Sequence, residues 1–208
     1  MCLAFTVMAS TTTQALDAPA ALVPAGLTPG QTFYVVFVSS GTIAGNSSSV
    51  ALAAFGQTQA NNNIETAKIT GWKTLFGHDD GTTSTTIHTA VSAPFYRPDG
   101  TRISTSSATF WAVTHESVIN RSEDLSTHTG NIWTGFASNG TRANPNDDTL
   151  GGNDFASDGC LVGLHVVNQW SAGALTGGIG CTASYSTYVI SPLLTVPGPT
   201  GGSVLPFN

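Results

Sequence analysis

Charged side chains are scarce in this sequence: 6 Lys and Arg and 12 Asp and Glu occur among 208 residues. They make up 9% of the chain, whereas a soluble globular domain usually carries about 25%. The acidic excess gives a net charge of −6, and Lys and Arg form no cluster. Polyanion binding depends on such clusters. Nucleic acids and anionic membrane surfaces are therefore poor candidates as partners.

Several other signatures are also missing. No apolar run approaches the roughly 20 residues that span a bilayer, so we predict a protein that is not membrane-spanning. The sequence has no Cys-x-x-Cys pair for zinc, no glycine-rich phosphate loop and no Gly-x-Ser-x-Gly nucleophile motif. His115 and His128 lie near serines, but in a serine-rich chain such neighbours arise by chance. We expect a protein that is not an enzyme, without catalytic residues and with no cofactor unless it binds calcium.

The chain divides into one domain and two tails. Residues 1–15 resemble a signal peptide that lacks the cationic start; alternatively, they form a strand that docks on a sheet edge. Residues 16–32 are rich in Pro, Ala and Thr, which predicts a linker. Residues 33–197 contain the apolar segments of a single folded domain, and residues 198–208 form a C-terminal tail.

Strand signals dominate the predicted domain. Residues 33–38 are aromatic or β-branched throughout, which is typical of a central strand buried on both faces. Residues 50–64 are Ala-rich with helical spacing and predict a helix. Residues 68–76 and 189–196 predict further strands. Pro98-Asp99-Gly100 predicts a tight turn between two paired strands, because Pro fixes φ and Gly tolerates positive φ.

The three cysteines bear on the compartment. Cys160 and Cys181 would close a loop of about twenty residues, which a disulfide stabilises by about 3 kcal/mol. Such a bridge indicates an oxidising compartment and hence an extracellular or cell-surface protein. The alternative is that both are buried thiols. Cys2 is left over as a remnant of a signal sequence or an intermolecular thiol.

Two acidic segments could bind a cation. Calcium takes six to eight oxygen ligands, and the loop at residues 144–159 offers many within a short stretch. The candidate ligands are Asn146, Asp147, Asp148, Asn153, Asp154 and Asp158. An ordinary polar loop is the alternative. His78-Asp79-Asp80 could bind a divalent metal, or it could form a solvated turn before Gly81.

An ordered set of motifs resembles a known group of domains. The motifs are Tyr34-Val35-Val36-Phe37-Val38, Gly71-Trp72-Lys73, Pro94 to Thr101, Ile132-Trp133-Thr134-Gly135 and Leu193 to Pro197. In this order they resemble bacterial secreted domains of unknown function with an endostatin-type C-type-lectin-like fold, which also occurs in exosortase-sorted surface proteins. The resemblance implies a strand-rich α+β domain with extended tails. It also implies a disulfide between Cys160 and Cys181 and a long loop where calcium and sugars bind in some members.

These observations favour a non-enzymatic extracellular structural or assembly protein, packed into a surface layer, filament or multi-subunit complex. Low charge favours close packing of copies, because few charges must lose their water at each contact. The expected partners are further copies of the chain or other surface proteins. The alternative is an adhesion module that binds glycan or protein through residues 144–159, with or without calcium.

Overall fold

The computed structural model describes residues 15–82, 91–111, 115–136, 150–151, 162–164 and 180–199. Two α-helices and two short 3-10 helices accompany ten strands in these residues. The helices are η1 (Ala20–Leu22), α1 (Ser49–Ala60), η2 (Thr66–Lys68) and α2 (Ser107–Trp111). The strands are β1 (Leu16–Asp17), β2 (Thr32–Val38), β3 (Ile43–Ala44), β4 (Lys73–Leu75), β5 (Phe95–Tyr96), β6 (Arg102–Ser104), β7 (Asn131–Trp133), β8 (Val162–Leu164), β9 (Ser184–Ile190) and β10 (Leu194–Thr195).

The strands form one mixed sheet with β2 and β9 at its centre. The main order is β1-β10-β2-β9-β7-β8. Strands β2 and β9 are antiparallel, while β7 runs parallel to β9. Strands β3 and β4 also pair with β9, and β5 joins β2 to β6. The described chain is thus strand-rich and of the α+β class, as the sequence predicts.

Strand β2 explains how both sheet faces become buried. Side chains alternate between the faces of a strand, and in β2 both sets are apolar. Tyr34, Val36 and Val38 belong to one buried cluster with Phe95 and Phe110, side chains of β5 and α2. The other set belongs to a second buried cluster and comprises Phe33, Val35 and Phe37. The prediction of a central strand buried on both faces is confirmed.

Helix α1 packs against the sheet through its small residues. Ser48 caps its first turn, where the Ser48 hydroxyl accepts a hydrogen bond from the Ala51 N–H. Leu52, Gly56 and Ala60 are buried on the inner side. The predicted helix is confirmed at its start, but it ends at Ala60 instead of residue 64. The chain then turns through residues 61–65 into η2.

The turn between β5 and β6 is the one the sequence predicts. The Gly100 N–H donates to the Arg97 carbonyl at 2.9 Å, and Gly100 has a φ of +80°. The Asp99 carboxylate accepts from the Thr101 N–H and from the Arg97 guanidinium. Arg97 also donates to the side-chain oxygen of Asn120. This arginine therefore holds the turn against a distant segment of the chain.

The linker predicted for residues 16–32 is instead part of the domain, and this prediction is wrong. Leu16 and Asp17 pair with β10 in parallel, and the Ala18 N–H donates to the Thr195 carbonyl. Leu22 is 6% exposed and belongs to the same cluster as Phe33. Proline-rich composition indicated a linker, but the few apolar residues among the prolines are spaced to cover the sheet.

Two further strand predictions are confirmed in part. The predicted strand at residues 68–76 is reduced to β4, preceded by η2. The predicted strand at residues 189–196 is two strands, β9 and β10, separated by residues 191–193.

The two tails, apart from residue 15 and residues 198–199, lie outside the described residues. Neither described helix has the length and apolar character needed to cross a bilayer.

Candidate functional site

The His78-Asp79-Asp80 segment follows β4 and brings three possible metal ligands together. One ligand atom from each residue lies within 4.8 Å of the others. The His78 Nδ1 atom lies 2.8 Å from an Asp79 oxygen and 3.0 Å from an Asp80 oxygen. The His78 side chain is 7% exposed, whereas the two aspartates are 39% and 43% exposed. A buried imidazole is therefore covered on its outer side by two carboxylates.

Hydrogen bonds fix both ends of this group. His78 Nε2 lies 3.2 Å from the Ser47 carbonyl oxygen. The Ser49 hydroxyl donates to Asp80 at 2.6 Å, and the Thr82 N–H donates to it at 2.8 Å. Desolvation would raise the pKa of Asp80, but these hydrogen bonds outweigh it and hold the pKa well below its ordinary value. Asp80 therefore stays ionised while it ties the turn to the start of α1.

The same turn is joined to the middle of the predicted acidic loop. The Asp79 N–H donates to the Leu150 carbonyl at 2.8 Å, and the Leu150 N–H donates to the Gly77 carbonyl at 3.0 Å. Gly151 has a φ of +101°, and a Cβ there would lie 2.5 Å from Asp79 Oδ1 and from His78 Nε2. Only glycine fits this contact. The structure thus joins two segments that the sequence analysis treated separately.

The donor set determines which cation could bind. Calcium needs six to eight oxygens, and the described group supplies two carboxylates and one imidazole. A mixed nitrogen and oxygen set suits a first-row transition metal better. The six predicted calcium ligands, Asn146, Asp147, Asp148, Asn153, Asp154 and Asp158, lie outside the described residues. The calcium prediction therefore stays a prediction, and His78, Asp79 and Asp80 could complete such a site only together with further donors.

The histidine and serine neighbours noted in the sequence have structural contacts. His115 Nε2 lies 2.8 Å from the Phe110 carbonyl oxygen, and its ring stacks on Phe110. Burial lowers the pKa of His115. The Ser126 hydroxyl lies 2.5 Å from the Ser122 hydroxyl. In the described part of the chain these groups hold turns and core together.

Adjacent carboxylates also separate, as expected for neighbours in sequence. Glu123 is 2% exposed and accepts hydrogen bonds from the backbone N–H and the hydroxyl of Ser40. Asp124 is exposed and accepts from the Ser122 hydroxyl and the Ser126 N–H. The buried glutamate thus fixes the end of β2, and the pair does not form the facing carboxylates of a glycosidase.

The second notable feature is an uncharged surface over one sheet face. Helices η1 and α1 cover the same face, because Leu22 and Ala60 belong to one buried cluster with Phe33, Val35 and Phe37. Their outer sides, together with the turn that follows α1, expose small and apolar residues. We call this surface the neutral face, and it comprises Ala20, Ala21, Val50, Ala51, Ala54, Thr58 and Ile64. Val50 is 78% exposed and Ile64 is 76% exposed, more than any other large hydrophobic side chain in the described residues.

Sequence reasoning overlooked this surface, although a signal for it exists. Residues 18–64 contain no Asp, Glu, Lys, Arg or His. Asp17 is the single residue of these types among the first 64. Composition averaged over the whole chain conceals this asymmetry, because the charges cluster between Glu65 and Asp158. A charge count along the chain would have shown two long segments without Asp, Glu, Lys or Arg, residues 18–64 and residues 159–208.

Other predicted features have mixed outcomes. Trp72 and Trp133 are buried in the core, and Trp111 is half-buried. Cys181 is 3% exposed and is disulfide-bonded. Cys160 and Cys2 lie outside the described residues, so the pairing of Cys160 with Cys181 stays a prediction.

Neither the family models nor the curated protein sequences compared with the chain give a match.

Proposed function

We propose that this chain is a non-enzymatic extracellular structural or assembly protein that packs into a surface layer, filament or multi-subunit complex. The observation that carries the proposal is the distribution of charge. The helices η1 and α1, which pack over part of one sheet face, contain no charged residue. Each charge buried at an interface loses its hydration, so an uncharged side is the one that packs at least cost.

The charges elsewhere support the same proposal. Lys68 pairs with Glu65 at 2.8 Å, and Arg102 pairs with Glu116 at 2.8 Å. These pairs lie on the surface and join neighbouring segments. Such pairs stabilise a domain only slightly, and they leave these two cations and two carboxylates engaged with each other. Surface charges that are paired within the chain are typical of a structural protein whose surface packs against other molecules.

We also propose an endostatin-type C-type-lectin-like fold for this domain. The support is the placement of the motifs that carry the resemblance. The motif around Val36 forms the central strand, and Trp72 and Trp133 lie in the core. The turn at Asp99 joins β5 to β6. The extracellular location rests on the disulfide-bonded Cys181, since stable disulfides form in oxidising compartments.

Mass photometry and electron microscopy of the purified full chain test the proposed function. We expect particles larger than a monomer, and we expect them to persist as salt is raised, because contacts without charges are not screened. A monodisperse monomer at every concentration and salt level would contradict the proposal. Dissociation in high salt would show that charges, and not the uncharged side, hold the assembly.

A second candidate function is binding of glycan or protein assisted by a cation. The observation that favours it is the contact of Leu150, within the acidic loop, with the turn that carries His78 and Asp79. A cation bound at the turn would lie next to this contact. Thermal melting with and without calcium, manganese or zinc tests this function, with Asp79→Asn as the matched variant. A glycan array with and without chelator then identifies a ligand. No melting shift with any of the three ions would exclude the cation.

A further inference from the structure

We propose that His78, Asp79 and Asp80 bind one divalent ion of the first transition row. The ligand atoms are His78 Nδ1 and one carboxylate oxygen of each aspartate, which the structure brings close together. This inference rests on the second candidate function, because it names the class of ion and the atoms that hold it. It is independent of the proposed assembly, which needs no cation.

The hydrogen bonds of His78 show which ring nitrogen can act as a ligand. Nε2 lies 3.2 Å from the Ser47 carbonyl oxygen, which can only accept, so Nε2 carries the ring hydrogen. The Asp80 N–H donates to Nδ1 at 3.2 Å, so Nδ1 carries a lone pair on the side of the carboxylates. Histidines bound to metal share this arrangement, with one nitrogen on the ion and the other donating to a carbonyl or carboxylate.

The two carboxylates add electron pairs at the same place. Asp79 Oδ1 lies 2.8 Å from His78 Nδ1, and Asp80 Oδ1 lies 3.0 Å from it. With the ring hydrogen on Nε2, no ring N–H points at the carboxylates, so the electron pair of Nδ1 and those of the two oxygens repel one another. A cation bound by the three atoms removes this repulsion. A hydrogen on Nδ1 is the competing occupant, but it would make the contact with the Asp80 N–H one between two donors.

The separations of the ligand atoms fit an ion of this row. Zinc binds nitrogen and oxygen at about 2.0 to 2.2 Å, so two of its ligands at right angles lie about 3 Å apart. Both distances from His78 Nδ1 match this spacing. The Asp79 and Asp80 side chains are 39% and 43% exposed, which allows small rotations of both carboxylates towards one ion.

The surroundings hold the ligands and leave space beside them. Asp80 Oδ2 accepts from the Ser49 hydroxyl, and Asp80 Oδ1 accepts from the Thr82 N–H. Such hydrogen bonds orient a carboxylate for metal binding. A Cβ on Gly151 would lie 2.5 Å from Asp79 Oδ1 and would fill the space next to this ligand atom. Glycine at residue 151 keeps that space open.

The imidazole determines the class of ion. Calcium takes oxygen ligands and needs six to eight of them, whereas an imidazole nitrogen suits zinc and the other ions of the first transition row. Affinity at nitrogen and oxygen sites is lowest for manganese and higher for cobalt and zinc. We therefore expect Co²⁺ and Zn²⁺ to bind more tightly than Mn²⁺, and we expect this preference to depend on His78.

Isothermal titration calorimetry of the tag-free full chain with Co²⁺, Zn²⁺, Mn²⁺ and Ca²⁺ tests the inference. We expect His78→Gln and Asp79→Asn each to weaken Co²⁺ binding by about tenfold or more. His78→Gln should also reduce the preference for Co²⁺ over Mn²⁺, an effect that a merely structural role of His78 would not produce. The matched control is Glu116→Gln, which removes an exposed carboxylate outside the site and should bind like wild type.

Urea unfolding without metal shows which variants fold. Asp79 is partly exposed, so Asp79→Asn keeps the test decisive if His78→Gln does not fold. No binding of Co²⁺ or Zn²⁺, or equal binding by wild type and Asp79→Asn, overturns the inference. Calcium binding that Asp79→Asn does not weaken, without Co²⁺ binding, overturns it while the second candidate function stands. Co²⁺ binding that depends on Asp79, with a glycan array that gives no ligand, supports the inference and contradicts glycan binding.

Discussion

At the scale of single residues, Gly56 shows how closely α1 approaches the sheet. A Cβ on Gly56 would lie 2.6 Å from the Thr74 backbone nitrogen and 2.7 Å from the Lys73 carbonyl carbon. Both atoms belong to β4 and cannot move aside as a flexible side chain could. The absence of a side chain at residue 56 is therefore a condition for packing α1 on β4.

We predict that Gly56→Ala destabilises the protein by about 1 to 3 kcal/mol through overpacking. Helix propensity alone predicts the opposite sign, since Ala is favoured over Gly by about 1 kcal/mol within a helix. Urea unfolding of wild type and variant measures the difference. Ala51→Gly, an exposed site on the same helix, is the control, with a loss of about 1 kcal/mol. An unchanged or increased stability of Gly56→Ala would show that the helix sits farther from the sheet.

His115 gives a prediction about pH. Burial lowers the pKa of His115 from its ordinary 6.5 in the folded state. As pH falls below about 6.5, the unfolded chain gains a proton that the folded chain resists, so the unfolding free energy decreases. We predict that this loss is smaller in His115→Gln, which retains a hydrogen-bond donor but cannot titrate. Urea unfolding at pH 7.5 and 5.5 measures it, and equal losses in both proteins would contradict the assignment.

At the scale of elements, the segment containing β1 and η1 is a structural part of the domain. Leu22 of η1 is 6% exposed, and β1 pairs with β10. We predict that Leu22→Ala costs about 2 to 4 kcal/mol, because a buried cavity remains. Leu125, which is 49% exposed, provides the control, and Leu125→Ala should cost less than about 1 kcal/mol. Thermal and urea unfolding measure the loss of stability in each variant. Equal losses in Leu22→Ala and Leu125→Ala would show that residues 16–32 act as a linker and do not stabilise the domain.

The elements also differ in how well sequence predicts them. Strand β2 and the turn at Gly100 follow from local rules: an unbroken aromatic and β-branched run, and the conformational limits of Pro and Gly. Strand β1 does not. Its two residues, Leu16 and Asp17, gain their strand geometry only from β10, far along the chain. The strand preferences of individual residues cannot predict a strand that forms only because it pairs with a distant segment.

At the scale of the whole molecule, the disulfide links the last long strand to another region. Cys181 lies just before β9 and is buried beside Trp133 and Leu150. We predict that its partner is Cys160. Non-reducing peptide mapping by mass spectrometry should find this link, and Cys160→Ser should lower stability by about 2 to 4 kcal/mol. Cys2→Ser should leave stability unchanged. A peptide joining Cys2 to Cys181 would refute the pairing.

The sequence predicted the possible metal ligands of the candidate site, but it did not predict which segments meet there. The donors of His78, Asp79 and Asp80 were recognisable from residue type. Their contact with Leu150 depends on backbone hydrogen bonds across a long separation in sequence. The fit of Gly151 against His78 depends on a positive φ and a close approach. Neither feature leaves a local pattern, because both are consequences of how the sheet brings distant loops together.

The sequence by itself determined the strand-rich class, the doubly buried central strand, the tight turn at Asp99 and the low charge. Each depends on side-chain chemistry and on backbone limits that act over a few residues. The tertiary structure alone decided that residues 16–32 join the sheet, that His78 lies beside Leu150 and that the uncharged residues of η1 and α1 share one face. Those outcomes depend on pairing between distant segments, whose free energy is set by burial across the whole fold.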